Sequence, residues 1–382
     1  MRAMSKDPSQ AIRMPRAGDH LSVDRGIAEL RRGGIVAVRA GPDRDRLALA
    51  VAAEMLADDT VARLRMLAGS DPVLAITRNR AAALGSGGAA PVVSLRLPAG
   101  MTADRVAALA DPTAGAVEPG TLPTLPEPEA GPMAAAVRLA KLARLIPSVL
   151  VATVPGIPAD RMAGWALEHA LLLVDSDAID THRQTSARRL VRAASAQVPL
   201  IDAETCEVIA FRPLDGGMEH VAIRIGDPDP ALPVLIRLHS SCLTGDLLGS
   251  LRCDCGDQLR GAIRAIADAG GGVLLYLAQE GRDIGLINKL KAYSLQDLGA
   301  DTVDANTMLG YDDDERVYFP AAEMLKLLGI ARVRMMTNNP EKIGQLAACG
   351  VEVVERVRHV FPSNRHNERY LAAKASRSGH LF

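Results

Sequence analysis

The sequence predicts an α/β fold of the α+β kind in two domains, and three observations carry that expectation. At 382 residues the chain has room for two or three domains of about 150 residues each. Strand-like runs alternate with helix-like runs in both halves, the pattern of sheets faced by helices. The second half, from about residue 205, breaks into more sharply punctuated segments than the first.

Taken in order, the basic start MRAMSKDPSQAIRMPRAGDH (residues 1–20) has no apolar core segment, so it reads as a frayed tail rather than a secretory signal. The first domain is expected over 21–204. There GGIVAVRAG (33–41) reads as a strand and RDRLALAVAAEML (44–56), rich in Ala and Leu, as a helix. DPTAGAVEPGTLPTLPEPEAGP (111–132) carries six prolines and reads as a long loop, since proline bars a long helix or a central strand. MAAAVRLAKLARL (133–145) then reads as a helix and PSVLVATV (147–154) as a strand.

The second domain is expected over 205–382. LRGAIRAIADAGG (259–271) is an amphipathic helix stopped by glycines, GVLLYLAQEG (272–281) a buried strand, and FPAAEMLKLLGI (319–330) a helix. ARVRMMTNNPEKIGQLAACGVEVVERV (331–357) reads strand, helix, strand, with Asn339 as N-cap, Pro340 at the first helical position and Gly350 as the stop. Lys342 then stands in the first turn, where the helix dipole disfavours a cation unless an anion such as phosphate is bound. No internal repeat recurs at a fixed period.

Composition narrows the function. A formal charge of −1 gives no general basic field for nucleic acid. No apolar run approaches the roughly 20 residues of a membrane span. Five cysteines, an odd number, argue against a disulfide framework and for a reducing, cytoplasmic setting.

Three of those cysteines, Cys242, Cys253 and Cys255, fall in HSSCLTGDLLGSLRCDCGDQL. One intervening residue would strain a bridge between the last two. A C-x₁₀-C-x-C spacing lets a loop fold three soft thiolates onto one metal, leaving a fourth position for water as catalytic zinc requires. The competing reading is three buried, inert thiols.

RLHSSCLTGDLLGSLRCDCGDQL, QEGRDIGLINKLKAYSLQDLGADTVDAN, LGYDDDERVY and TNNPEKI occur in an order that resembles GTP cyclohydrolase II, an enzyme of riboflavin synthesis. The resemblance implies one zinc per chain on Cys242, Cys253 and Cys255, and a homodimer. It implies GTP contacts from Arg237, Leu238, His239, Ser240 and Ser241, from Gln258, from Glu280, Gly281 and Arg282, and from Thr302, Thr337 and Lys342. It implies Asp314 as proton acceptor, Arg316 as nucleophile toward the α-phosphate, and Tyr293 beside the reacting base, with Mg²⁺ accompanying GTP. The chemistry suits those residue types: zinc-activated water attacks C8 of guanine, and cations hold the triphosphate. A guanidinium is protonated up to a pKa of about 12.5–13.8, so Arg316 is either a nucleophile helped by Asp314 or a charge clamp. Two departures stand out: Ser241 where the family usually has Glu, and Ala278 where Arg is common. His239 is read as a supporting or substrate-binding residue rather than a fourth metal ligand.

GIAELRRGGIVAVRAGPDRDRLALAVAAEMLADDTVARL and TADRVAALADPTAGAV resemble, more weakly, 3,4-dihydroxy-2-butanone 4-phosphate synthase. Arg44 and Arg46 stand where that family places metal-binding glutamates. Gly131, Pro132, Met133 and Ala134 replace a stretch whose histidine binds metal. Neither proline nor methionine is a ligand for magnesium, so the resemblance implies a degenerate domain. The expected function is therefore zinc-dependent opening of the guanine imidazole ring of GTP with loss of formate and diphosphate. The alternatives are a relative acting on GTP in another pathway and a non-catalytic GTP sensor.

Overall fold

The computed structural model describes residues 19–86, 88–98, 100–115 and 123–361. The expected tail 1–20 lies outside these residues apart from its last two, as do 116–122 of the proline-rich stretch and the C-terminal segment 362–382.

The first unit runs α1 (Asp19–Arg31), β1 (Val36–Ala40), β2 (Arg46–Ala52), α2 (Asp58–Ala68), β3 (Val73–Thr77), α3 (Arg78–Ala83), β4 (Val92–Arg96), α4 (Ala103–Ala110), β5 (Thr124–Pro126), α5 (Pro132–Leu142), β6 (Ser148–Thr153), α6 (Met162–Glu168), β7 (Leu172–Asp175) and α7 (Ser176–Arg188). Its strands form one sheet in the order β5-β4-β3-β6-β2-β1-β7. β1 pairs with β7 in parallel and with β2 antiparallel. The proline-bearing β5 sits at the sheet edge, where a missing N–H costs no ladder bond.

The helix expected over 44–56 is instead β2 followed by a short 3₁₀ turn, Ala53–Met55. Leu47, Leu49 and Val51 enter the core on one face, against Leu64 of α2 and Val106 of α4. Ala48 and Ala50 enter the core on the other, against Val137 and Leu139 of α5. That large–small alternation has a period of two, and burial on both faces of a central strand overrides the helix propensity of Ala and Leu.

The second unit runs β8 (Leu190–Gln197), β9 (Cys206–Pro213), β10 (His220–Gly226), β11 (Val234–Ser240), α8 (Cys255–Asp268), β12 (Gly271–Leu277), α9 (Leu286–Asp297), α10 (Thr302–Met308), α11 (Phe319–Leu327), β13 (Arg332–Met336), α12 (Glu341–Ala348) and β14 (Glu352–Val357). Its sheet order is β14-β13-β11-β12-β10-β9-β8, so this sheet takes in a strand that precedes residue 205. β14, β13, β11 and β12 are parallel to one another; β12, β10, β9 and β8 are antiparallel. α8 packs Ala262, Ile263 and Ile266 on one face, and α11 packs Ala321, Met324 and Leu325 on the other. α12 begins one residue later than expected: Asn339 Oδ1 accepts from Glu341 N at 2.9 Å, and Gly350 follows the helix at φ +93°. Among the described residues no helix is long and apolar enough to cross a membrane.

Candidate active site

The C-terminal ends of the parallel strands β11, β12 and β13 open onto one cleft, the place where such sheets collect ligands. β11 brings Arg237, Leu238, His239 and Ser240. The turn after β12 brings Gln279, Glu280, Gly281 and Arg282, and the turn after β13 brings Asn338. α8 contributes Gln258, α9 Lys289 and Tyr293, α10 Thr302, and α12 Lys342.

The cysteine loop closes as the spacing predicts. The sulfurs of Cys242, Cys253 and Cys255 lie within 4.8 Å of one another, with Cys242 and Cys253 at 3.8 Å. Gly245 makes room for them: a Cβ there would sit 2.7 Å from Cys253 Sγ and 3.0 Å from Cys242 Sγ. Three convergent soft donors around a glycine-lined hollow fit a zinc ion. Hydrogen bonds from Cys253 and Cys255 hold Cys242 far below the usual thiol range, with Lys289 adding to the effect, while the partners are pushed up, Cys253 to about 11.

Lys289, which no local pattern in the sequence marks out, is the hub beside these sulfurs. Its ammonium donates to Cys242 Sγ at 3.1 Å, Thr244 Oγ1 at 2.9 Å and Glu280 Oε1 at 2.7 Å. Burial works against its charge, but Glu280 and Cys242 outweigh it and raise its pKa. Glu280 Oε2 in turn accepts from Leu243 N at 2.7 Å, so this carboxylate ties the cysteine loop to α9. His239 lies 3.0 Å from Asp246 Oδ1, and Asp246 Oδ2 accepts from Cys242 N at 2.9 Å and from Tyr276 OH at 2.9 Å. His239 thus braces the loop through Asp246 while it also lines the cleft.

Several expected substrate contacts are also structural. Arg237 is buried; it donates to Met336 O at 2.9 Å and to Gln258 Oε1, and its Nε has no partner. Burial lowers its pKa to about 10, leaving it charged near neutrality. Gln258 donates onward to Asp254. Ser241 N donates to Leu277 O at 2.8 Å, continuing the strand pairing. Thr337 is 1% exposed and its hydroxyl accepts from Asn339 N at 3.0 Å, beneath the cleft rather than among its lining residues.

Arg282 and Arg316 face the cleft on a shared frame. Arg282 donates to Asp313 O at 2.9 Å. Arg316 Nε donates to Asp314 Oδ1 at 2.8 Å, and its NH2 donates to Asp314 Oδ2. Asp314 is not itself among the lining residues. Burial would raise its pKa, but the Arg316 guanidinium overrides this and holds the carboxyl below its ordinary value. Tyr293 OH lies 3.5 Å from Thr244 Oγ1, and Arg252 stacks over the ring at 4.8 Å. Burial raises the phenol's pKa, so it stays protonated at neutral pH.

In the first unit, the stretches that resemble a synthase meet: Gly41 N donates to Ala130 O at 3.0 Å. Beside that junction Arg44 NH2 donates to Asp177 Oδ2 at 2.8 Å, and Pro132 is buried at the start of α5.

A family model described as GTP cyclohydrolase II matches residues 191–358. A protein of Azospirillum brasilense named GTP cyclohydrolase-2 is 54% identical over 378 residues, spanning 94% of each chain. One of the same name from Yersinia pseudotuberculosis serotype I is 51% identical over 194 residues, 51% of this chain and 98% of its own. Among solved structures, a two-domain 3,4-dihydroxy-2-butanone 4-phosphate synthase from A. baumannii overlays on 88% of this chain at 16% identity and a TM-score of 0.36, a likeness too distant to argue from.

Proposed function

The chain belongs to the GTP cyclohydrolase II family, and from that premise we propose how its residues divide the work on GTP. The observation that carries the proposal is the convergence of three cysteine sulfurs within 4.8 Å, beside a cleft that also gathers Arg282, Arg316 and Lys342. The cysteine end receives guanine and the cationic end receives the triphosphate.

Cys242, Cys253 and Cys255 would hold zinc. Bound zinc supplies water acidic enough to act as a nucleophile near neutral pH. Tyr293 donates a proton to the opening imidazole ring. Lys289 and Glu280 keep the cysteine loop and α9 in register. C8 leaves as formate. Arg282, Lys342 and Arg316 hold the phosphates, with Mg²⁺ accompanying GTP, and water then displaces diphosphate at the α-phosphorus. Asp314 grips the Arg316 guanidinium through two hydrogen bonds, from Nε and from NH2, a pairing that favours the charged form and fixes its direction. That geometry favours Arg316 as a clamp aimed by Asp314 over Arg316 as nucleophile.

We read the first domain as catalytically silent. Arg44 pairs with Asp177 where the resemblance calls for a metal-binding carboxylate.

Two incubations of the purified chain test these readings. With GTP and Mg²⁺, mass analysis is expected to show formate, diphosphate and a diaminopyrimidinone ribosylamino 5′-phosphate. A triphosphate product or a formylated pyrimidine would instead favour a relative acting on GTP in another pathway, and unchanged GTP a sensor. With ribulose 5-phosphate and Mg²⁺ no dihydroxybutanone phosphate is expected, and its appearance would contradict the silent domain.

A further inference from the structure

The loop from Asp312 to Arg316 is held from two sides. On the cleft side Asp314 carries Arg316 and Asp313 accepts from Arg282. On the far side Asp312 and Glu315 meet the first domain: Lys141 Nζ donates to Asp312 Oδ2 at 2.6 Å and to Glu315 Oε1 at 2.7 Å. Arg183 NH1 donates to the main-chain oxygen of Glu315 at 2.6 Å. The side chains of Lys141 and Glu315 are 15% and 8% exposed, so their attraction is little screened by solvent.

A third first-domain cation grips the neighbouring turn. Arg144 NH2 donates to Ala278 O and to Asp283 Oδ1, both at 2.7 Å. Running up to the second anchor, Gly281, Arg282 and Asp283 adopt successive left-handed conformations at φ +65°, +62° and +74°. Non-glycine residues keep such backbone only where their surroundings over-determine it, and here part of those surroundings belongs to the other domain. The docking is close: a Cβ on Gly285 would lie 3.3 Å from Arg144 Cβ, and one on Gly310 would lie 3.0 Å from Thr77 Oγ1.

We propose that Lys141, supported by Arg144 and Arg183, is a positioning residue. It fixes the Asp312–Arg316 loop from behind so that Arg316 is presented to the α-phosphate. The first domain thereby serves the second domain's chemistry whether or not it performs any of its own. This rests on the reading of Arg316 as a phosphate clamp. Lys141→Met keeps the length of the side chain and removes the charge that links Asp312 to Glu315.

The test is a cycle on the full chain: parent, Lys141→Met, Arg316→Ala and the double variant, with diphosphate release and zinc content measured for each. Because a 1 Å misplacement can cost about 10²-fold, Lys141→Met is expected to lower kcat by about 10- to 100-fold, with KM changed less than about twofold and zinc unchanged. Lys141→Arg should recover most of the rate. In the Arg316→Ala background Lys141→Met should cost less than about twofold, because the group it positions is gone. A parental rate for Lys141→Met, or losses that multiply in the double variant, would overturn the proposal while a slow Arg316→Ala leaves the clamp standing. A parental rate for Arg316→Ala would overturn the clamp and the proposal with it. If Lys141→Met does not fold, Arg183→Gln, which removes another bond to the same loop, takes its place in the cycle with the same outcomes.

Discussion

Cys253→Ser is expected to purify with little zinc and to release formate from GTP at least about 10³-fold more slowly than the parent. A serine hydroxyl is hard and stays protonated where a soft thiolate is required. The remaining sulfurs, Cys242 and Cys255, then face the hollow beside Gly245 as an incomplete set. Even a lost outer partner of a metal ligand typically costs about 10- to 100-fold in metal affinity or activity, so a lost ligand should cost more. Cys206 and Cys349 provide the controls. Cys206 is buried against Val198 O at 2.8 Å and Cys349 is partly buried at the end of α12; neither belongs to the sulfur cluster. Their serine variants should keep both zinc and activity. A Cys253→Ser protein that retains both would remove the cluster from the mechanism.

Arg316→Ala is expected to slow diphosphate release by about 10²–10³-fold, the usual cost of removing one preorganised electrostatic stabiliser. Zinc should stay at the parental level, since no sulfur changes. Arg316→Lys should recover part of the rate, because lysine restores the charge but not the planar fork by which Arg316 grips Asp314 through Nε and NH2. Trapping a guanylyl adduct on the parent protein would favour attack by Arg316 over clamping. Diphosphate release at the parental rate in Arg316→Ala would show that the α-phosphate is served by other residues.

Local patterns are legible in the sequence. The C-x₁₀-C-x-C spacing closes into one cluster, and the TNNPEKI turn starts a helix within one residue of the expected place. The segment 44–56 misled because its Ala and Leu content suits a helix, although the alternation of large and small side chains already had the period of a strand. Lys289 is hidden for a different reason. In NKLKAY it looks like any helical lysine, and only folding brings it to Cys242, across 47 positions of chain. The same holds for Lys141 and Arg144, whose partners lie in the other domain. Local periodicity carries no record of such long-range polar pairs. Arg237 and Gln258 were expected at the substrate, and both line the cleft, but much of their hydrogen bonding is spent on each other and on the ends of neighbouring elements.

Titration of the metal shows whether an ion held by Cys242, Cys253 and Cys255 is needed to open the guanine ring. Zinc is withdrawn stepwise from the purified chain with a chelator and then restored, and formate release from GTP is followed against zinc bound per chain. The rate is expected to fall in proportion to zinc, to vanish at zero and to return in full near one zinc per chain. Formate released at the parental rate by zinc-free protein would contradict it.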